Sequence, residues 1–197
     1  MREIINALFK TSIGSAGTTI FGIISTKIMS IMLGVEGIGF LSLLRQLRQT
    51  TIILATVNGS TALVQGISSR DRSSGIIYAR TVLFIMLTIG IIVCGLLIFF
   101  APLISSRIFD RSDTIVISLI RWLALPISIN ILLIYCKGIL NGYRAIGRLA
   151  IVDVINIFML ALLAYPISVF VKAGNLHAFI WMMSTATFTS MIFAYFF

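Results

Sequence analysis

The chain is poor in everything a water-soluble fold uses at its surface. Only 11% of its 197 residues are charged, against about 25% in ordinary soluble domains. With 59% hydrophobic residues, too few polar side chains remain to cover a soluble body of this size. That same apolar content excludes disorder. Three prolines exclude a Pro-rich or collagen-like chain, and two cysteines exclude a disulfide scaffold. Cys94 and Cys136 lie inside long apolar runs, where a thiol behaves as a small hydrophobe. Neither has a sequence neighbour suited to a metal site or a nucleophile pair.

The shortage of acids and histidine limits the chemistry as well. Glu3, Glu36, Asp71, Asp110, Asp113 and Asp153 are all the acids, and no two form a spaced pair on one helix face for acid–base work. His177 is the single histidine and opens an apolar run, where an interfacial aromatic-belt role is the default. No glycine-rich loop of the phosphate-cradling kind is present. The sequence therefore predicts no catalytic residue, no metal site, no cofactor and no enzyme activity, and no ATP hydrolysis on this chain.

What is present is long hydrophobic runs, with a mean hydropathy of +1.10. A hydrocarbon core of about 30 Å needs about 20 predominantly apolar residues per helix. Six stretches qualify: 11–34, 38–67, 80–104, 115–137, 149–171 and 177–197. The N-terminal stretch resembles a signal peptide only superficially. It is too long, carries Lys27, and no polar mature region follows a cleavage site, so it reads as a retained first span. The fold class expected is all-α, a polytopic membrane protein with six transmembrane helices in one lobe over 1–197. Loops of about 5–14 residues leave no room for a globular domain on either face.

The second stretch is unlike the others. It carries Arg45, Arg48, three glutamines and a Val57-Asn58-Gly59-Ser60-Thr61 interruption. A central arginine costs about 2.5–3.5 kcal/mol even on lenient insertion scales, so this segment cannot face lipid all round. Either it lies on the membrane surface, or it spans beside a wet cavity. Charge counting separates the two. If it spans, one side collects Arg2, Lys10, Arg70, Arg72, Arg80, Lys137, Arg144 and Arg148, and the other only Arg107, Arg111 and Lys172. If it does not, the bias contradicts itself along the chain. Positive charge marks the cytoplasmic side, so both termini are expected inside. The net charge of +9 thus reads as membrane orientation, and no nucleic-acid partner is expected.

Four cations fall at membrane depth: Lys27, Arg45, Arg48 and Arg121. At a rise of about 1.5 Å per residue, counted from Gly34, Gly37 and Ile115, they lie about 10, 12, 16 and 9 Å below the outer boundary. Arg45 and Arg48 are three apart and share a helix face. Snorkelling suits Lys27 and Arg121 but not Arg48, which is too deep for its side chain to reach the headgroups. Intramembrane ions ordinarily face a cavity, and arginine's planar fork suits phosphate oxygens. A cationic cavity for a bulky anionic cargo is therefore expected. Asp153 is the only acid inside a span. It either pairs with Arg148 or Arg144 near the interface or serves in coupling or gating. The Gly138-x-x-x-Gly142 motif reads either as a packing face or, with Asn141-Gly142, as a turn, with the turn favoured.

Two stretches resemble a known family. Lys27-x6-Gly34-Val-Glu36-Gly37-Ile-Gly39 followed by Leu-Leu-Arg45-Gln46-Leu is similar to the Wzx-type O-antigen and enterobacterial-common-antigen translocases. These are polysaccharide flippases of the MOP (MATE-like) superfamily. Arg121-Trp-Leu-Ala-Leu through Lys137-Gly138-x3-Gly142-Tyr-Arg144-x2-Gly147 resembles their fourth span and following turn. The resemblance implies a two-lobed transporter of which this chain is the N-terminal lobe, the C-terminal lobe being absent. It implies a location in the bacterial inner membrane, with undecaprenyl-pyrophosphate-linked oligosaccharide as cargo. A polysaccharide polymerase and chain-length regulator in the same membrane are implied partners. A MATE-like small-molecule or cation antiporter is the rival reading, but it calls for acids where this chain has cations. A truncated half without activity is a further alternative.

Overall fold

The computed structural model describes the backbone of residues 2–69, 72–110 and 113–197, and all of these side chains except those of 2–11, 13, 72 and 73. The side chains of Arg2, Lys10, Arg70, Arg72 and Arg111, on which part of the expected orientation rests, lie outside the described set. Eight helices follow one another with no strand among the described residues. They are α1 (Arg2–Thr56), α2 (Gly59–Ser68), α3 (Arg72–Phe99), α4 (Ala101–Ile108), α5 (Thr114–Trp122), α6 (Ala124–Gly142), α7 (Ile146–Lys172) and α8 (Ala178–Phe196).

α1 is not one rod. Gly34 adopts φ 68° and ψ −172° inside it, a backbone conformation that L side chains avoid and glycine accepts. The Arg45 guanidinium lies 3.7 Å from Met29 Sδ. Sixteen residues of straight helix would separate those positions by about 24 Å. The chain therefore doubles back at Gly34, giving an N-terminal and a C-terminal arm, and exposed Val35 stands at the bend. At the far end of the second arm, Val57 and Asn58 both have positive φ. They break the helix inside the polar interruption noted in the sequence, and α2 resumes beyond them.

Side-chain contacts fix the direction of each run. Gly14 abuts Ala150, Gly17 abuts Val154, and the Phe21 and Phe158 rings meet at 5.1 Å. The first arm of α1 thus runs parallel to α7. α7 is antiparallel to α6 across the turn at Tyr143–Ala145, and antiparallel to α8, where Asn156 Nδ2 donates to the Ala186 carbonyl at 3.5 Å. α3 opposes α6, with Gly90 on Ile131 and Cys94 Sγ 4.0 Å from Ser128 Oγ. α2 opposes α3, through Gly59 on Met86 and Gly66 on Tyr78, and runs parallel to α6. The chain direction thus reverses five times.

Five helical stretches are long and apolar enough to cross a membrane: Gly14–Thr56, Ser74–Phe99, Thr114–Gly142, Ile146–Lys172 and Ala178–Phe196. This is an all-α, polytopic membrane architecture. The count differs from the six expected because Gly14–Thr56, with its bend at Gly34, is one of the five stretches. Other boundaries shift too. The third run stops at Phe99, before Pro102 in the first turn of α4. The fourth extends through Gly142, five residues past the expected end at Lys137.

The shared core is apolar and draws on nearly every helix, with Met29, Leu44, Leu63, Met86, Leu119, Ile127, Phe179 and Met182 fully enclosed. Close approach of α6 to α2 depends on glycine. A Cβ on Gly138 would stand 2.9 Å from Leu63 Cδ1, and one on Gly142 3.0 Å from Ile67 Cβ. The Gly138-x-x-x-Gly142 pair is therefore a helix-packing face. The favoured turn reading is corrected, since the turn begins only at Tyr143.

Candidate functional site

Arg45 and Arg48 sit on the C-terminal arm of α1 because that arm is amphipathic in an inverted sense. Leu41, Leu44, Ile52 and Ala55 are buried, whereas Ser42, Gln46 and Gln49, spaced four and three residues apart, share one exposed face. Arg48 lies four residues from both Leu44 and Ile52, on the buried side. Its Nε is sealed from solvent and has no hydrogen-bond partner. Arg45 lies at the edge of the same side, and the soft Met29 sulfur is its one described polar contact. Neither arginine has an acid partner: among the described residues the one ion pair joins Lys137 to Asp153.

The depth of the pair can be read from a neighbouring element. Phe40 packs against Phe109 at 5.3 Å and against Phe179, the second residue of α8, at 6.5 Å. Phe40 is thus level with the start of α8, and the bend at Gly34 stands beyond it. Counted from that level, Arg45 lies about 8 Å and Arg48 about 12 Å inward. Both are shallower than a count from Gly37 gives. The reason is that the first residues of the second arm project past the ends of the other helices.

The other two cations sit differently. Lys27 is exposed and lies one helical turn or two from Ile20, Ile23, Ile24 and Ile31, all exposed. It points away from Met29, which is buried. An ammonium on an apolar outer face is the arrangement in which a lysine snorkels. Arg121 is likewise exposed, next to Trp122, which shares a cavity of about 230 Å³ with His177 and Trp181. That grouping suits an interfacial aromatic band. The structure therefore brings Arg45 and Arg48 together and leaves Lys27 and Arg121 on outer surfaces.

Asp153 pairs with Lys137, not with Arg148 or Arg144 as the sequence suggested. Arg148 instead donates to the Phe197 carbonyl oxygen, and Arg144 is exposed in the left-handed turn. Lys137 was expected at the end of its span, yet α6 continues for five residues beyond it. It lies about 8 Å inside the helix end, and Asp153 about 10 Å from the start of α7. Both side chains remain partly open, at 27% and 43% exposure. Lys137 faces a cavity of about 390 Å³ between α2, α6 and α7, with Ser60, Thr61 and Asn141 on its wall. Asp153 faces another of about 270 Å³ between α1 and α7, with Ser15 and Thr18. Leu149 lines both.

Among the described residues no three His, Cys, Asp or Glu side chains gather as a metal ion would require. Chemically, the molecule offers two polar regions. One is a pair of guanidiniums without counter-charge, and the other is a neutralised ion pair between two cavities. No family model matches the chain, and comparison with curated proteins and with solved structures gives no match either.

Proposed function

We propose that this chain is one lobe of a flippase for a lipid-linked oligosaccharide, carrying an anionic, diphosphate-bearing cargo from the inner to the outer leaflet. The reading takes the six alternating runs as six membrane passes, with both termini on the cytoplasmic side. The second arm of α1 together with α2 forms the second pass. The observation that carries the function is Arg48: a guanidinium on the core side of a membrane helix, beside Arg45, with no acid among the described residues to neutralise either. Desolvated and unpaired, such charges are costly, and an anion that arrives and leaves is the partner that resolves the cost. Arg45 and Arg48 present two planar forks to phosphate oxygens. The exposed Ser42, Gln46 and Gln49 supply hydroxyl and amide groups to a polar, sugar-bearing cargo. A C-terminal lobe would close the path on its open side. Undecaprenyl-pyrophosphate-linked repeat units of O-antigen fit this chemistry, and cargo synthesis and polymerisation belong to other proteins of the same bacterial inner membrane.

The reading is tested by expressing the two-lobed transporter in cells that lack O-antigen export and measuring surface polysaccharide per transporter. The Arg45→Ala/Arg48→Ala double variant should lose about tenfold or more of export at equal abundance, a change of about 1.4 kcal/mol per decade. Export at the unaltered level would overturn the anionic-cargo reading.

A further inference from the structure

The ion pair on the opposite half of the molecule has no role in the account above. Lys137 and Asp153 come from α6 and α7, which a three-residue turn already holds together. An ion pair is not needed to join them. A charged pair within a membrane helix is expensive and ordinarily marks a functional position. This one is only partly enclosed and divides two open cavities, so its charges are reachable from outside. On the Lys137 side, the Ser60, Thr61 and Asn141 side chains line the same space. A cavity of about 390 Å³ holds a diphosphate with room for attached atoms.

We propose that this cavity is a second anion station, for a phosphate or diphosphate group, with Lys137 as its cation and Asp153 as a resident competitor. With the cavity vacant, the Asp153 carboxylate neutralises Lys137. When a phosphoryl group enters, the ammonium turns to its oxygens, Ser60 and Thr61 donate hydroxyl hydrogen bonds, and the Asn141 amide donates alongside them. Asp153 is released toward the cavity that holds Ser15 and Thr18, whose hydroxyls take its charge. The exchange is a swap of ion-pair partners, with no bond made or broken. It gives the proposed transport reading an inner-leaflet docking point, and rests on that reading for its natural ligand. The binding chemistry itself does not depend on it.

The competitor makes a prediction that a merely structural pair does not. Removing Asp153 frees Lys137, so affinity for the anion should rise. The test uses the 197-residue chain in a zwitterionic detergent. One arm titrates inorganic pyrophosphate by calorimetry. The other follows phosphatidic acid by native mass spectrometry, which separates a lipid-borne phosphate from a free one. Asp153→Asn should bind about three- to tenfold more tightly than the unaltered chain. Lys137→Gln should bind about tenfold more weakly, one decade being about 1.4 kcal/mol, and Lys137→Arg should bind within about threefold. The Lys137→Gln/Asp153→Asn double variant leaves no unpaired charge to disturb folding, and it should lose the inner binding event while keeping the one at Arg45 and Arg48. Tighter binding of phosphatidic acid alone supports a lipid headgroup as ligand, and tighter binding of pyrophosphate in addition supports the phosphoryl group itself. Equal binding by Lys137→Gln and the unaltered chain, an unchanged or weaker Asp153→Asn, or no binding of either probe overturns the proposal. Arg45→Ala/Arg48→Ala, measured in parallel, removes the outer binding event and should keep the inner one, with its response to Lys137→Gln and Asp153→Asn. If that variant loses all binding, the outer arginines alone hold the anion, and the inner station falls while the transport reading stands.

Discussion

The two charged regions of this molecule meet the same physical cost in opposite ways. Near one end, Arg45 and Arg48 lie on the inner side of an α1 arm with no acid partner among the described residues. Near the other, Lys137 and Asp153 neutralise each other across the α6–α7 hairpin. Charge within a membrane span is expensive in either place. A resident counter-ion offsets that cost permanently and leaves nothing for a ligand to gain unless it displaces the partner. An unpaired cation keeps the cost in place until an anion arrives. The contrast is between a cation that a ligand must win from a resident partner and one that stands vacant, in a chain with so few charges.

The comparison breaks most sharply if the outer site is made to resemble the inner one. Gln49 is exposed and lies one turn beyond Arg45, the spacing at which an acid and a base meet on a helix. Gln49→Glu gives Arg45 a counter-ion with almost no change in shape. Export should fall about tenfold while membrane abundance stays constant, since the Coulomb attraction is stronger in a low-dielectric site than in water. Unchanged export, read as surface polysaccharide per transporter, would mean that Arg45 need not be vacant.

A smaller effect sharpens the difference between the buried pair and the outward cations. Arg48→Lys keeps the charge and loses the fork, so export should fall about threefold, partway toward the alanine variant. Lys27→Ala and Arg121→Ala should stay within about twofold, because headgroups already satisfy side chains that snorkel. Equal losses for all four cations would favour one continuous vestibule over a local pair.

The smallest effect concerns the inner pair and is read in stability. Lys137→Ala strands Asp153, and the half-open setting limits the loss to about 1 kcal/mol. For a chain of this size that lowers Tm by about 2–4 °C. Lys137→Gln/Asp153→Asn should recover most of it. A double variant as unstable as the single one would show that the cost comes from lost packing of the lysine stem.

Much of this architecture was legible in the sequence, and the residues show why. The apolar runs over 149–171 and 177–197 fall within three residues of α7 and within one of α8, because length and hydropathy are what a bilayer selects. The reversal after the first run was legible at Gly34, and the interruption at Val57-Asn58 proved to be the break before α2. Less legible was anything set by how helices stand against one another. The depth of Arg48 was overcounted because the sequence does not reveal that the bend at Gly34 projects beyond α8. The partner of Asp153 was misassigned because Lys137 was placed at the very end of its span, five residues short of where α6 ends. A signal for the true pairing was nonetheless present: Lys137 and Asp153 are each eight positions from Ala145. In an antiparallel helical hairpin turning there, residues equidistant from the turn come level. Side-chain facing is the remaining gap, since a list of intramembrane cations cannot separate Arg48 from Lys27 until burial assigns each a side.

The central claim is that an anion can reach Arg45 and Arg48 from water, and thiol accessibility tests it most directly. In a background with Cys94→Ala and Cys136→Ala, single cysteines are placed at Arg48, at Arg45 and, as a lipid-facing control, at Ile24. Intact cells are then treated with an anionic, membrane-impermeant methanethiosulfonate, which reacts only with thiolate in water. The account predicts that Arg48→Cys and Arg45→Cys react, that Ile24→Cys does not, and that excess pyrophosphate-linked lipid slows the first two. Reaction at Ile24→Cys with silence at Arg48→Cys would contradict it, leaving the arginines as packing residues in a dry helix interface.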